Sequence, residues 1–224
     1  MRTETQTMKK RKWPKAVLIL AVFTYLVFRV LEFCSVTGGG ISGVVTDAET
    51  GEPIEGAIVI TNWVGVINMI VDSQTTCYWA QGTVTDKNGN FRFSRWWSTE
   101  GWKPLFDRRV SVYAYKSGYH PRHSPRFDVF DIPMEKNRDS YDKRFAELKK
   151  FVSPASCAGA NNGEKEIYPF FKAMAEDAGR YATTYEERKD IRWFQKIAAG
   201  MLVDEPQEEE YQRKVEEILK KGLP

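Results

Sequence analysis

Three stretches of this chain alternate in the way a sheet requires, and each is broken by residues that turn the backbone sharply: residues 43–61, 83–93 and 110–121. In the first, Val44 and Thr46 alternate with Val45 and Asp47, and Ala57, Val59 and Thr61 with Ile58 and Ile60. A period of two puts successive side chains on opposite faces of a strand. The connection between these runs carries Gly51 and Gly56, which tolerate φ > 0, and Pro53, which presets its own φ for re-entry into a strand. In the second stretch Asp86 leads into Asn88-Gly89, the strongest short-range hairpin signal, so a hairpin is expected to join 78–85 to 90–94. Gly118 ends the third run. Strands are predicted at 41–47, 57–62, 64–71, 78–85, 90–94, 109–116 and 127–132. Seven short strands with turns between them favour two packed antiparallel sheets, with Phe91, Phe93, Val110, Val112 and Ala114 facing the core.

The string from Gly43-Val44-Val45 through Asp47, Thr50-Gly51, Pro53-Ile54 and Gly56-Ala57 to Val59 is followed by Thr85-Asp86, Gly89 and Phe91, and then by Tyr115-Lys116-Ser117-Gly118-Tyr119. Together these resemble the carboxypeptidase regulatory-like domain, a transthyretin-like β-sandwich of bacterial envelope proteins. The resemblance covers residues 41–133, a little under half the chain. It implies a non-catalytic domain, of the kind that accompanies some zinc carboxypeptidases. The remaining residues are too few for the catalytic domain and carry no metal-ligand pattern.

The N-terminus supplies an address. Arg2, Lys9, Lys10, Arg11, Lys12 and Lys15 stand against Glu4 alone, and an apolar run from Ala16 to Phe28 comes next. A basic flank before an apolar run keeps the N-terminus in the cytoplasm and exports the remainder of the chain. Counted from Trp13 to Phe33 the segment is long enough to cross a bilayer, with Arg29 able to snorkel at the exit end. Residues 1–35 are therefore read as a single-pass inner-membrane anchor with the bulk of the chain in the periplasm; cleavage after Gly38, giving a soluble periplasmic protein, is the alternative. The net charge of +3 belongs to this signal, because beyond it 26 basic residues face 28 acidic ones. No basic stripe points to nucleic acid.

From Lys136 the composition changes to a charged, helix-forming sequence of balanced sign. Tyr141, Phe145, Leu148 and Val152 recur at helical spacing, as do Ile167, Phe170, Phe171, Met174 and Tyr181, with Pro169 tolerable in a first turn. Thr183 with Glu186, or Thr184 with Glu187, reads as a capping box opening a third helix that aligns Ile191, Phe194, Ile197, Ala198 and Met201. A last helix over 205–221 aligns Tyr211, Val215, Ile218 and Leu219 and ends at Gly222. The chain thus divides into an anchor at 1–35, a sandwich at 36–135 and an α-helical region at 136–224, an α+β protein whose helix stripes pack on one another or on the sandwich rather than line a partner-binding groove, an appendage rather than an autonomous enzyme.

There are three cysteines. In an oxidising compartment Cys77 and Cys157 can tie the helical region to the sheet, two buried thiols being the alternative, and Cys34 at the membrane edge is the odd one out. His120 and His123 have H-x-x-H spacing, but Gly118 and Pro121 argue for a loop with Asp128 or Asp131 as hydrogen-bond partner rather than for zinc. No cofactor is expected. Trp96, Trp97 and Trp102 lie close together in sequence and can stack on sugars or anchor a partner, plug the end of the sandwich, or rest on the membrane. The expectation is a non-catalytic protein that binds or scaffolds an envelope protein at the periplasmic face. A glycan-recognition module built on these tryptophans is the alternative, and a metal-dependent hydrolase the third reading.

Overall fold

In the computed structural model the described residues are 17, 19–26, 36–68, 73–98, 105–124, 131–155, 157, 164–203 and 207–223. The chain divides into two compact units, residues 1–36 with 97–102, and residues 37–96 with 103–224. In the first, residues 19–26 are helical, and Ile19, Leu20, Val22, Phe23, Tyr25 and Leu26 are each more than half exposed. No helix among the described residues is long and apolar enough to cross a membrane. The rest of the predicted anchor, Cys34 included, lies outside the described residues.

The strands are β1 (Val36–Gly38), β2 (Ile41–Asp47), β3 (Ile58–Asn68), β4 (Ser73–Val84), β5 (Asn90–Phe93), β6 (Trp96–Ser98), β7 (Leu105–Tyr115), β8 (Arg122–Ser124) and β9 (Asp131–Met134). The helices of the second unit are α1 (Tyr141–Ala155), α2 (Tyr168–Tyr181), α3 (Tyr185–Gly200) and α4 (Glu208–Lys221), with a 3₁₀ turn at Glu164–Ile167 ahead of α2. The protein is α+β. Two sheets carry seven strands, in the orders β5-β2-β9 and β4-β3-β7-β8.

Four expectations are corrected. The sheets are not wholly antiparallel, because β2 and β9 run parallel, Val44 opposite Asp131 and Asp47 opposite Met134. Hydrophobic alternation carries no strand direction, and the connection from β2 to β9 through most of the domain is long enough for a parallel pair. Residues 64–68 of the strand predicted at 64–71 are the continuation of β3, with register shifts near Val64, while residues 69–71 lie outside the described residues; β8 lies where a loop was expected. The Asp86–Asn90 turn forms, but no long hairpin grows from it. Gly89 N donates to Asp86 O (2.9 Å), Asp86 N to Asn90 O (3.0 Å), and the Asp86 carboxylate caps the N–H groups of Asn88 and Asn90. β5 then leaves β4 and pairs with β2, Phe91 opposite Gly43 and Phe93 opposite Ile41. The Asn-Gly signal reports turn geometry alone. The choice of neighbour belongs to Phe91 and Phe93, both buried.

Gly51, Gly56, Gly89 and Gly118 all have positive φ, between 68° and 86°. At Gly89 a second constraint applies, since a Cβ there would stand 2.4 Å from the Val45 carbonyl oxygen. Both faces of the central strands are buried. Val59, Thr61 and Trp63 of β3 with Val110, Val112 and Ala114 of β7 form one face, matching Val45, Phe91, Phe93, Ile132 and Met134 of the smaller sheet. The alternate residues Ile60, Tyr113 and Tyr115, with Ala80, join Phe145, Leu148, Val152, Phe170, Phe171, Met174 and Phe194 in one cluster. The helices pack on one another and on the sandwich, as their apolar stripes predict; they close the second face of the larger sheet, and each large side chain buried there contributes roughly 1.5–3 kcal/mol.

Within this layer α2 presents Asp177, fully buried on its apolar stripe. It accepts hydrogen bonds from Tyr115 of β7, from Ser117 (3.1 Å) and from Tyr181 (3.3 Å), and pairs with Arg180 at 2.8 Å. Burial, then the nearby Asp177 charge, pushes the Tyr115 hydroxyl up from its ordinary pKa, so it remains a donor. Thr184 and Glu187 form the capping box of α3. Asp47 accepts from the N–H groups of Glu49 (2.9 Å) and Thr50 (3.1 Å) and from the Tyr119 hydroxyl (3.1 Å), and pairs with Lys136 at 3.2 Å.

Replacing Asp177 with Ala strips an acceptor from Tyr115 and leaves buried donors unpaired; chemical denaturation should show a loss of about 2–4 kcal/mol. The Glu49 backbone N–H, ahead of Lys136 and Thr50, holds Asp47 down to about 2. A carboxylate with a lowered folded-state pKa stabilises above its unfolded value and ceases to do so as pH falls toward the folded one. The wild type should therefore lose stability as pH drops from about 4 to about 2. In thermal melts over that window D47N should fall less steeply.

Candidate functional site: the cysteine pair and the tryptophan cluster

β4 carries Cys77, Tyr78 and Trp79 in succession, beside β3. Trp63 pairs with Trp79, yet the next β3 residue, Val64, pairs with Cys77, so Tyr78 is an extra residue in β4. A regular strand would send Tyr78 and Trp79 to opposite faces, but a bulge turns adjacent side chains toward one another. Both reach Trp96. The Trp79 and Trp96 rings stack at 4.4 Å and 7°, Tyr78 is tilted at 5.9 Å, and Trp63 meets Trp96 edge-on at 5.5 Å.

The consequence for the three tryptophans singled out in the sequence is direct. Trp96 is 7% exposed and enclosed by other rings, so it fills the sandwich end and is not a stacking platform. Trp97 is 61% exposed, and Trp102 lies outside the described residues. Among the described residues the buried indole N–H groups of Trp79 and Trp96 have no hydrogen-bond partner. The chain passes close to Trp96 at Gly38, where a Cβ would fall 2.0 Å from Nε1. Only a glycine clears the ring.

Cys77 and Cys157 stand at bridging distance, with Cα atoms 5.2 Å apart across 80 residues. Cys157 comes just after α1 and is fully buried. Two residues earlier the Ala155 carbonyl accepts a 2.8 Å hydrogen bond from the side chain of Asn62 on β3. The end of α1 is thus held twice to the larger sheet, once through each of two adjacent strands. Closing a loop of this length stabilises by about 4 kcal/mol in the chain-entropy account. Neither Asn62 nor Asp177 was singled out in the sequence; the signals that could have found them are a polar residue in an apolar strand and an acid on an apolar helix stripe.

The two histidines go to different partners. His120 Nδ1 lies 2.9 Å from both carboxylate oxygens of Glu147 on α1, and Asn137 donates to the same carboxylate at 3.0 Å. Glu147, not Asp128 or Asp131, is the partner; Asp128 lies outside the described residues and Asp131 accepts from Thr46. His123 belongs to β8 and stacks on Tyr113 at 4.5 Å, where burial lowers its pKa. Among the described residues no three His, Cys, Asp or Glu side chains come together in a way that could hold a metal ion.

No family profile matches the chain, and no curated protein matches it. Among the solved structures that match, three are similar over a little under half of the chain. They are the C-terminal domain of the shaft pilin spaA from Lactobacillus rhamnosus GG (16% identity, 46% of this chain and 99% of that one, TM-score 0.26), a streptococcal ancillary pilin (13%, 45% and 30%, 0.24) and an alternative pilotin of the type II secretion system of Vibrio cholerae (17%, 45% and 96%, 0.26). At these scores the likenesses carry no argument about what this chain does.

Gly38→Ala should force the Trp96 ring out of its stack. The expected result is a loss of about 1–3 kcal/mol in unfolding free energy together with a red shift of tryptophan emission.

Proposed function

We propose that the chain is an exported envelope protein, held at the periplasmic face of the inner membrane by residues 1–35, in which a carboxypeptidase-regulatory-like sandwich and its helical layer form a non-catalytic binding or scaffolding unit. The observation that carries this reading is the geometry of Cys77 and Cys157, placed for a bridge across the sheet–helix layer. A structural disulfide is stable in an oxidising compartment and rare in the cytosol. The sequence supplies the matching address in its basic flank and apolar run, and the exposed apolar side chains of residues 19–26 call for a non-aqueous neighbour.

Asp47 and His120, which attracted notice in the sequence, are occupied in holding elements together. Asp47 fixes the turn after β2, and Glu147 ties His120 and Asn137 to α1. This favours a module that presents surfaces over one that turns over substrate, and with Trp96 enclosed it weighs against the three-tryptophan glycan platform.

The test is alkylation of intact cells before lysis, with and without reductant, and then peptide mass spectrometry of the membrane fraction. A Cys77–Cys157 linked peptide that disappears on reduction is expected, on a chain that retains its N-terminal residues. Two thiols fully alkylated without reductant would overturn the exported reading. External protease should cleave the helical region only after the outer barrier is opened.

A further inference from the structure

On the outer face of the smaller sheet, Ser42 of β2 lies directly opposite Arg92 of β5 in the antiparallel register, so the two side chains project from the same face as neighbours. Arg95 comes just after β5, and Gly40 just precedes β2. Together with Ser94 they line an open cavity of about 510 Å³. Both arginines are exposed, and among the described residues neither guanidinium has an ion-pair or hydrogen-bond partner. Arg92 and Ser42 also border a neighbouring cavity with Asp86 and Asp131, whose carboxylates accept hydrogen bonds from Asn88 and Asn90 and from Thr46 and form no ion pair with Arg92 among the described residues.

We propose that Arg92, Arg95, Ser42 and Ser94 form a site for a phosphate group, and that the group is the headgroup phosphate of an anionic phospholipid. Two guanidinium forks give planar donor pairs matched to phosphate oxygens, and the two hydroxyls add donors without adding charge. The source is set by chain length. Residues 36–39 are all that separates this cavity from the predicted anchor, and four residues reach at most about 14 Å when extended. The cavity is thereby tethered within reach of the headgroup layer, and anionic headgroups attract basic side chains placed there. The lipid assignment rests on the anchored reading; the phosphate site does not.

The test uses the full chain purified in a maltoside detergent, titrated by calorimetry with dihexanoyl phosphatidylglycerol below its micelle-forming concentration, with dihexanoyl phosphatidylcholine and with inorganic phosphate. Saturable binding of the phosphatidylglycerol is expected, stronger than that of either other probe and weakened about tenfold or more in the R92Q/R95Q double variant. Both side chains are exposed, so the variant should melt as the wild type does, and S42A offers a second, milder reduction with no change of charge. Binding unchanged in the double variant, or no saturable binding at all, overturns the site. Inorganic phosphate binding as tightly as the lipid overturns the headgroup assignment. Because the titration is made on purified protein, its outcome is independent of the thiol test above, and the two ideas can fail separately.

Discussion

The larger sheet is covered on both faces, and the rest of the architecture is a consequence of that requirement. β3 and β7 alternate residues that are buried whichever way they point: Val59, Thr61 and Val112 toward the smaller sheet, Ile60, Tyr113 and Tyr115 toward the helices. Such strands cannot leave either face in water without exposing several large apolar side chains, each worth roughly 1.5–3 kcal/mol. The smaller sheet and the helical layer are therefore two halves of one solution. This is why residues 136–224, polar and balanced in charge, fold as a cover rather than as a separate body.

Polar groups pin that cover in register. Asp177 gathers Tyr115, Ser117, Tyr181 and Arg180 at one end of α2, while Asn62 and the cysteine pair hold the end of α1. Apolar packing is not directional and tolerates sliding; a buried carboxylate with its donors does not. The same division of labour holds in the tryptophan cluster, where a single extra residue in β4 brings Tyr78 and Trp79 onto Trp96 and the glycine at 38 leaves room for the ring.

The surfaces left for function lie outside these locks. The occupied acids and the enclosed Trp96 belong to architecture, and the outer face of the smaller sheet keeps the unspent charge. Arg92 and Arg95 have no ion-pair or hydrogen-bond partner among the described residues, which is the reason to look for one beyond the chain.

Local signals were written in the sequence because they depend on neighbours within a few residues. The positive-φ glycines, the Asp86 turn, the Thr184–Glu187 box and the stripes of Phe170, Phe171 and Met174 are of this kind, and so are β2 and the helix stripes as elements. Pairings between distant segments were not written there. That β5 would choose β2, that β9 would run parallel beside it, that β3 would continue to Asn68 and that His120 would find Glu147 each depends on which surfaces meet after collapse. The sequence by itself determined the α+β class, the turns and the apolar faces, since backbone sterics and side-chain periodicity are local. Only the tertiary structure decided strand order and direction, the enclosure of Trp96 and the exposure of Arg92, because those are settled by long-range competition for buried area.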